Sequence, residues 1–366
     1  MSDIKTDCRT IWIDELRAIL FVIICLSHLL QSSIPTSVFS HLATDLTAYA
    51  VGGFFLISGY LSRLRTQDFR SFLLRKTKSL LIPYFVLSLL TAILSPYILS
   101  PSSLTALNYP RWDLLSHNTP PHLQAVCEWF AGDIICTLIG AGSRQTQPLW
   151  FVFDLFVVQL AYFILRNKLK ISNTAILIFS FLVATILDMY ALNIPFIRLG
   201  AKFMGIAFVS AGALLRINIK GGLSTFTISL AIAIVSYITF DRTCHFVHNS
   251  FGGKLSLLYF ITVVTVMYSC FYIFPILSTS RIRIQAISNC LRFISINSIY
   301  ILGLHFYFMT IFNTLLYNNL HMEEGILFLT IVTFTILGTL LTLPIIKKIT
   351  TLFQGLSMPH ASLILR

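Results

Sequence analysis

The sequence predicts an all-α fold, a polytopic transmembrane helical bundle of about ten spans with both termini cytoplasmic. Three observations carry that prediction. First, 56% of the 366 residues are hydrophobic and only 11% are charged, with a mean hydropathy of +0.82, far from the composition of a soluble domain. Second, the apolar residues come in repeated runs of about 20, the helix length that crosses a hydrocarbon core of ~30 Å. Third, basic residues gather in alternate connections, the distribution expected of cytoplasmic loops. No internal repeat, low-complexity tract or separate soluble region interrupts this pattern, so residues 1–366 read as a single domain.

In chain order the predicted spans are Ile11–Leu30, Leu46–Leu61, Leu80–Leu99, Leu149–Leu165, Thr174–Leu192, Pro195–Leu215, Leu223–Phe240, Leu255–Leu277, Ile294–Tyr317 and Ile326–Ile346. The second is short and glycine-rich, and it is kept because strongly basic residues follow it at once. Lys5 and Arg9 precede span one, and Arg63, Arg65, Arg70, Arg75, Lys76 and Lys78 fill the second connection. Arg166, Lys168 and Lys170 follow span four, Arg216 and Lys220 span six, and Arg281, Arg283 and Arg292 span eight. Lys347, Lys348 and Arg366 close the chain, while the alternate connections hold few bases. The net charge of +12 is therefore spent on orientation, and no continuous basic groove for nucleic acid is formed. The expected partner is the lipid bilayer.

The polar start, Met1–Thr10, leads into a segment too long and too polar for a cleavable signal, with no small-residue cleavage site after it. Ser100–Gln147 is a long outer connection, punctuated by proline and carrying Tyr109, Arg111, Trp112, His117, Trp129 and Arg144. Loops of this length are usually functional or disordered, and the aromatic content argues for order. The seven cysteines show no CxxC pair and no metal-ligand spacing, so no metal is expected. Cys127 and Cys136 share the outer loop, either paired or separately unpaired.

Span one, WIDELRAILFVIICLSHLLQ, is the chemically loaded segment. At ~100° per residue, Arg17 and His28 end only ~20° apart around a helix, with Asp14 and Gln31 within ~60° of His28. Arg17 and His28 are then separated by roughly 16 Å along the axis. Such a stripe inside a membrane must face protein or a water-filled cavity. His28, with an ordinary imidazole pKa of ~6.5, suits proton transfer. Arg17 reads either as an interfacial anchor paired with Asp14 or as an anion ligand at the inner mouth of a cavity.

Further candidates are weaker taken singly. Arg75 and Lys78, three apart, share a helix face and suit a phosphate, although topology alone accounts for the cluster. The small residues of GGFFLISGYL, residues 52–61, suit close helix packing. Asp154, Asp188, Arg198 and Lys202 are expected at similar depth in the outer half. They read as mutual ion pairs or, for Asp154 or Asp188, as a group orienting a substrate or supporting His28. Trp150, Trp112 and Trp129 suit stacking on sugars or simple interfacial anchoring. His305, beside Tyr300, is the second intramembrane histidine.

Read together, these segments resemble the acyltransferase-3 family of integral membrane O-acyltransferases. Arginine, ten intervening residues and histidine open the set (Arg17, His28), followed by FFLISGYLSR and a basic pair ahead of LIPYF. PLWFVFDLF at Pro148–Phe156 and SIYILGLHFYF at Ser298–Phe308 complete it. Two positions differ from the family pattern: Lys78 stands where arginine is common, and Pro148–Leu149 precede Trp150 where histidine is expected. The resemblance implies acetyl-CoA as a cytoplasmic acyl donor, held through its phosphates by Arg17, Arg75 and Lys78. It implies catalysis at His28 and Arg17, with His28 either deprotonating the acceptor hydroxyl as general base or transiently carrying the acyl group, and a cavity lined by Ser58, Tyr60, Trp150, Asp154 and His305. The acceptor would be a hydroxyl of an envelope polysaccharide or lipid-linked glycan at a bacterial inner membrane. A transporter or flippase for a glycan or small metabolite would use the same polar stripe as a path, and a polysaccharide polymerase would suit the long outer loop.

Overall fold

The computed structural model describes residues 2–33, 38–62, 68–98, 130–140, 143–190, 192, 198–218, 222–239, 251, 253–279, 284–319 and 324–356. The described residues are helical with no strand. The helices are α1 (Ser2–Ser33), α2 (Val38–Tyr60), α3 (Phe69–Lys76), α4 (Ile82–Ile98), α5 (Trp150–Phe163) and α6 (Asn173–Met189). They continue with α7 (Leu199–Asn218), α8 (Leu223–Thr239), α9 (Ser256–Thr279), α10 (Gln285–Asn319) and α11 (Glu324–Leu356). Each predicted span falls on one of these elements. Among the described residues, six stretches are long and apolar enough to cross a membrane, and three more apolar helices are shorter, at 10–17 residues. α1 departs from plain apolar composition because Asp14, Glu15 and Arg17 lie within one turn of it. Many large apolar side chains are left open, among them Ile238 at 74% and Leu341 at 73%. Such exposure is a liability in water and ordinary against lipid tails.

Packing divides the chain into two compact units interleaved in sequence. The first comprises Met1–Ser27, Thr36–Phe69 and Val157–Ser298. Within it α7 packs on both α2 and α6, and α9 on α2 and α8. Glycine makes the α2–α7 contact possible: a Cβ on Gly59 would collide with the Val209 carbonyl, and one on Gly212 with the Leu56 carbonyl. Close backbone approach replaces the hydrophobic drive that is missing in lipid. Polar ties add to it. Arg216 donates to the Ser62 carbonyl at 2.7 Å, satisfying a group just beyond the end of α2, and Tyr259 Oη donates to the Ala48 carbonyl at 2.8 Å. Ser172 caps α6 by accepting from the Ala175 N–H at 3.2 Å.

The second unit comprises His28–Pro35, Arg70–Phe156 and Ile299–Arg366. Here α4 packs on α11 and on the 3-10 turn Arg144–Leu149. Leu29, Met309, Leu327 and Ile331 form a buried cluster that ties the end of α1 to α10 and α11. Tyr84 Oη donates to the Thr137 carbonyl at 2.8 Å. Ser88, Thr91, Ser143 and Thr146 pool their hydroxyls beside it, so buried polar groups find partners without water.

α3 and α4 are joined by a π-helical turn, Thr77–Leu81, and Pro83 explains it. Its ring crowds the carbonyl four residues back, which the wider turn relieves. The Ile82 N–H bonds to the Thr77 carbonyl, five residues earlier. In that register the Lys78 carbonyl would look to residue 83, which has no N–H. Gln354 on α11 supplies the missing donor, Nε2 to the Lys78 oxygen at 2.7 Å.

Candidate active site: a histidine pair on two helices

His28 and His305 come together in the second unit. Their ring centroids are 5.8 Å apart with the planes 33° from parallel. The edge of Phe306 closes one side of His28, with centroids 5.5 Å apart and planes at 87°. His28 is half-buried, whereas His305 is buried at 4% exposure. Leu29, next to His28 in the chain, is clamped in the α10–α11 cluster, which fixes the end of α1 against α10.

The tautomer of His305 follows from its partner. Nδ1 lies 2.9 Å from the Ile301 carbonyl oxygen, and a carbonyl can only accept, so Nδ1 carries the proton. In the neutral ring Nε2 then holds the lone pair, and that atom is buried with no hydrogen-bond partner among the described residues. A buried acceptor without a donor is costly and is commonly retained for chemistry. The pair therefore consists of a half-buried ring and a buried ring whose free nitrogen is an acceptor.

The other expected site residues are distributed more widely. Trp150 and Asp154 are buried in the second unit, at 6% and 1% exposure. An indole so enclosed is not the open stacking platform expected for it. In the first unit Ser58 Oγ accepts from Gln159 Nε2 at 2.6 Å, tying α2 to α5. Tyr60 packs between Trp12 and Phe271, at centroid distances of 6.0 and 4.5 Å. Both thus hold helices together. Arg17 pairs loosely with Asp14 at 3.6 Å in the first unit.

Arg75 is exposed at the end of α3, and Lys78 lies in the π turn. The π turn begins at Thr77, between the two residues. Arg75 and Lys76 both lie over the Phe72 ring, at 5.9 and 5.8 Å. Asp188 does not follow the ion pairing expected of it: Oδ2 accepts from the backbone N–H groups of Phe251 and Gly253, at 2.9 and 2.7 Å. Trp112, Trp129, Cys127, Arg63, Arg65, Arg281 and Arg283 lie outside the described residues. Among the described residues, no three His, Cys, Asp or Glu side chains converge as metal ligands.

The profile of a known family, described as an acyltransferase domain of the acyltransferase-3 type, matches residues 10–346. The chain belongs to the acyltransferase-3 family. The match takes in α1 with His28 and α10 with His305, and it favours acyl transfer over transport for the same polar residues. No curated protein and no solved structure matches this acyltransferase-3 chain. The pairing of His28 with His305, and the role of Gln354, lay beyond sequence reasoning. The only hints were the two histidines themselves and Pro83, five residues after Lys78.

Proposed function

We propose that this membrane acyltransferase moves an acetyl group from acetyl-CoA to a hydroxyl of an envelope polysaccharide or its lipid-linked precursor, in a bacterial inner membrane. The observation that carries the reading is the His28–His305 pair. A half-buried imidazole backed by a second ring with a free acceptor nitrogen is the arrangement of a general base and its orienting partner. His28 takes the proton from the acceptor hydroxyl as its oxygen attacks the thioester carbonyl carbon. The C–S bond breaks, and the imidazolium returns the proton to the departing thiolate, leaving an ester and CoA. His305 Nε2 receives the remaining N–H of His28 and holds the ring in the basic tautomer. A centroid separation of 5.8 Å leaves this contact to tighten when substrates bind, as catalytic hydrogen bonds commonly do. Basic groups assigned to the inner side, Arg17, Arg75 and Lys78, engage the phosphates of the donor.

The test uses membranes carrying the intact chain or His28→Ala at matched levels, with acetyl-CoA labelled in the acetyl group. Label should enter the glycan and lipid-linked fraction with the parent and fall by about 10²–10⁴-fold with the variant. Equal incorporation by both would remove His28 from the chemistry. No incorporation by either, with acceptor present, would refute the acetyl-CoA reading.

A further inference from the structure

α10 meets α1 a second time, in the first unit, through a polar face. Ser288 Oγ donates to Glu15 Oε1 at 2.6 Å, and Ser295 Oγ donates to Asp14 Oδ1 at 3.3 Å. Arg292 stands between these serines, four residues after one and three before the other, so all three project from one side of α10 within ~60°. Its Cα is therefore level with the carboxylates, yet its guanidinium engages neither. Arg292 makes no hydrogen bond or ion pair among the described residues, and its Nε is closed off from solvent. Arg17, from the facing helix, holds Asp14 only at 3.6 Å, well beyond the usual charge-assisted distance of ~2.8 Å.

Arg17 and Arg292 thus lie on the two helix faces that meet here, where Glu15 Oε1 and Asp14 Oδ1 each accept from a serine hydroxyl. A desolvated N–H donor on a permanent cation is costly to leave unmet. Planar guanidinium forks match phosphate oxygens two at a time. We propose that Arg292 and Arg17 together bind a phosphate group of the acyl-CoA donor, with Asp14 and Glu15 holding the two helices in register through their serine contacts. This inference rests on the acyl-CoA reading above and adds Arg292 to it.

The experiment titrates CoA into the full-length protein in neutral detergent, and compares the parent with Arg292→Gln, Arg292→Lys and Glu15→Gln/Arg292→Gln, each checked by thermal melting. Arg292→Gln should weaken CoA by about tenfold or more, with a matching rise in KM for acetyl-CoA and the smaller effect on kcat. Arg292→Lys should fall between, keeping the charge without the fork. Unchanged affinity in Arg292→Gln overturns the proposal while leaving the donor reading intact. Restoration of affinity in the double variant overturns it too, because Arg292 would then only balance Glu15. Phosphatidylglycerol added to the micelles separates the lipid source of the same chemistry. Binding of that lipid by the parent and not by Arg292→Gln, with equal CoA affinity in both, would assign the arginine to a headgroup. A parent that binds no CoA at all refutes the donor reading, and this inference with it.

Discussion

His305 shows how one hydrogen bond settles a residue's chemistry. The Ile301 carbonyl accepts from Nδ1–H, so the buried Nε2 is left as an acceptor in a ring whose centroid lies 5.8 Å from that of His28. His305→Ala should lower kcat by about 10²-fold and alter the acid limb of the pH–kcat profile, measured with labelled acetyl-CoA. A purely structural role would lower the amount of folded enzyme and leave the shape of that profile unchanged. Asp188 is the contrasting case, since its carboxylate serves two backbone N–H groups. Asp188→Ala should cost about 1.5–3 kcal/mol of stability, seen as a lower melting temperature in detergent, while the folded fraction keeps its turnover. Asp188→Asn retains an acceptor and should recover part of the loss.

Among the elements, the α3–α4 junction and the α2–α7 contact are governed by single residues. Pro83 leaves the Lys78 carbonyl without its helical donor, and Gln354 fills the vacancy from α11. Gln354→Ala should cost about 1 kcal/mol, the expense of an orphaned, part-buried carbonyl. It should also speed amide exchange in residues 77–82, measured by mass spectrometry on the detergent-solubilised protein. Gln354→Leu should behave no better, because volume is not what the site lacks. At the α2–α7 contact the obstacle is backbone, which cannot swing aside as a side-chain tip does. Gly212→Leu should therefore cost about 1–3 kcal/mol or more, and lower both yield and melting temperature.

For the whole molecule, topology is set by where lysine and arginine fall between apolar segments. From Lys5 and Arg9 at one end, with Lys347 and Lys348 at the other, we propose that both termini lie on the cytoplasmic side. Single cysteines introduced as Ser2→Cys and Ser362→Cys in a cysteine-free background should react with a membrane-impermeant maleimide only after the membrane is opened. Reaction at either site in sealed cells would reverse the orientation of that end.

Composition, run length and charge placement were enough to establish a helical membrane protein, because a bilayer admits few backbone solutions and each leaves a periodic trace in the sequence. Ordered motifs around Arg17, His28, Ser58, Trp150 and His305 were enough to indicate the family. The glycines of residues 52–61 were legible as packing residues, since small side chains in lipid have few other uses. Tertiary structure alone decided which distant residues meet. That His305 lies against His28, that Gln354 repairs the turn before Pro83, and that Ser288 and Ser295 meet Glu15 and Asp14 all depend on which helices are neighbours and how each is rotated. Helical periodicity specifies a face along one element and carries no information about its partner. The π turn ahead of Pro83 was equally hidden, because a spacing of three defines an ideal face only while the hydrogen-bond register stays i to i+4.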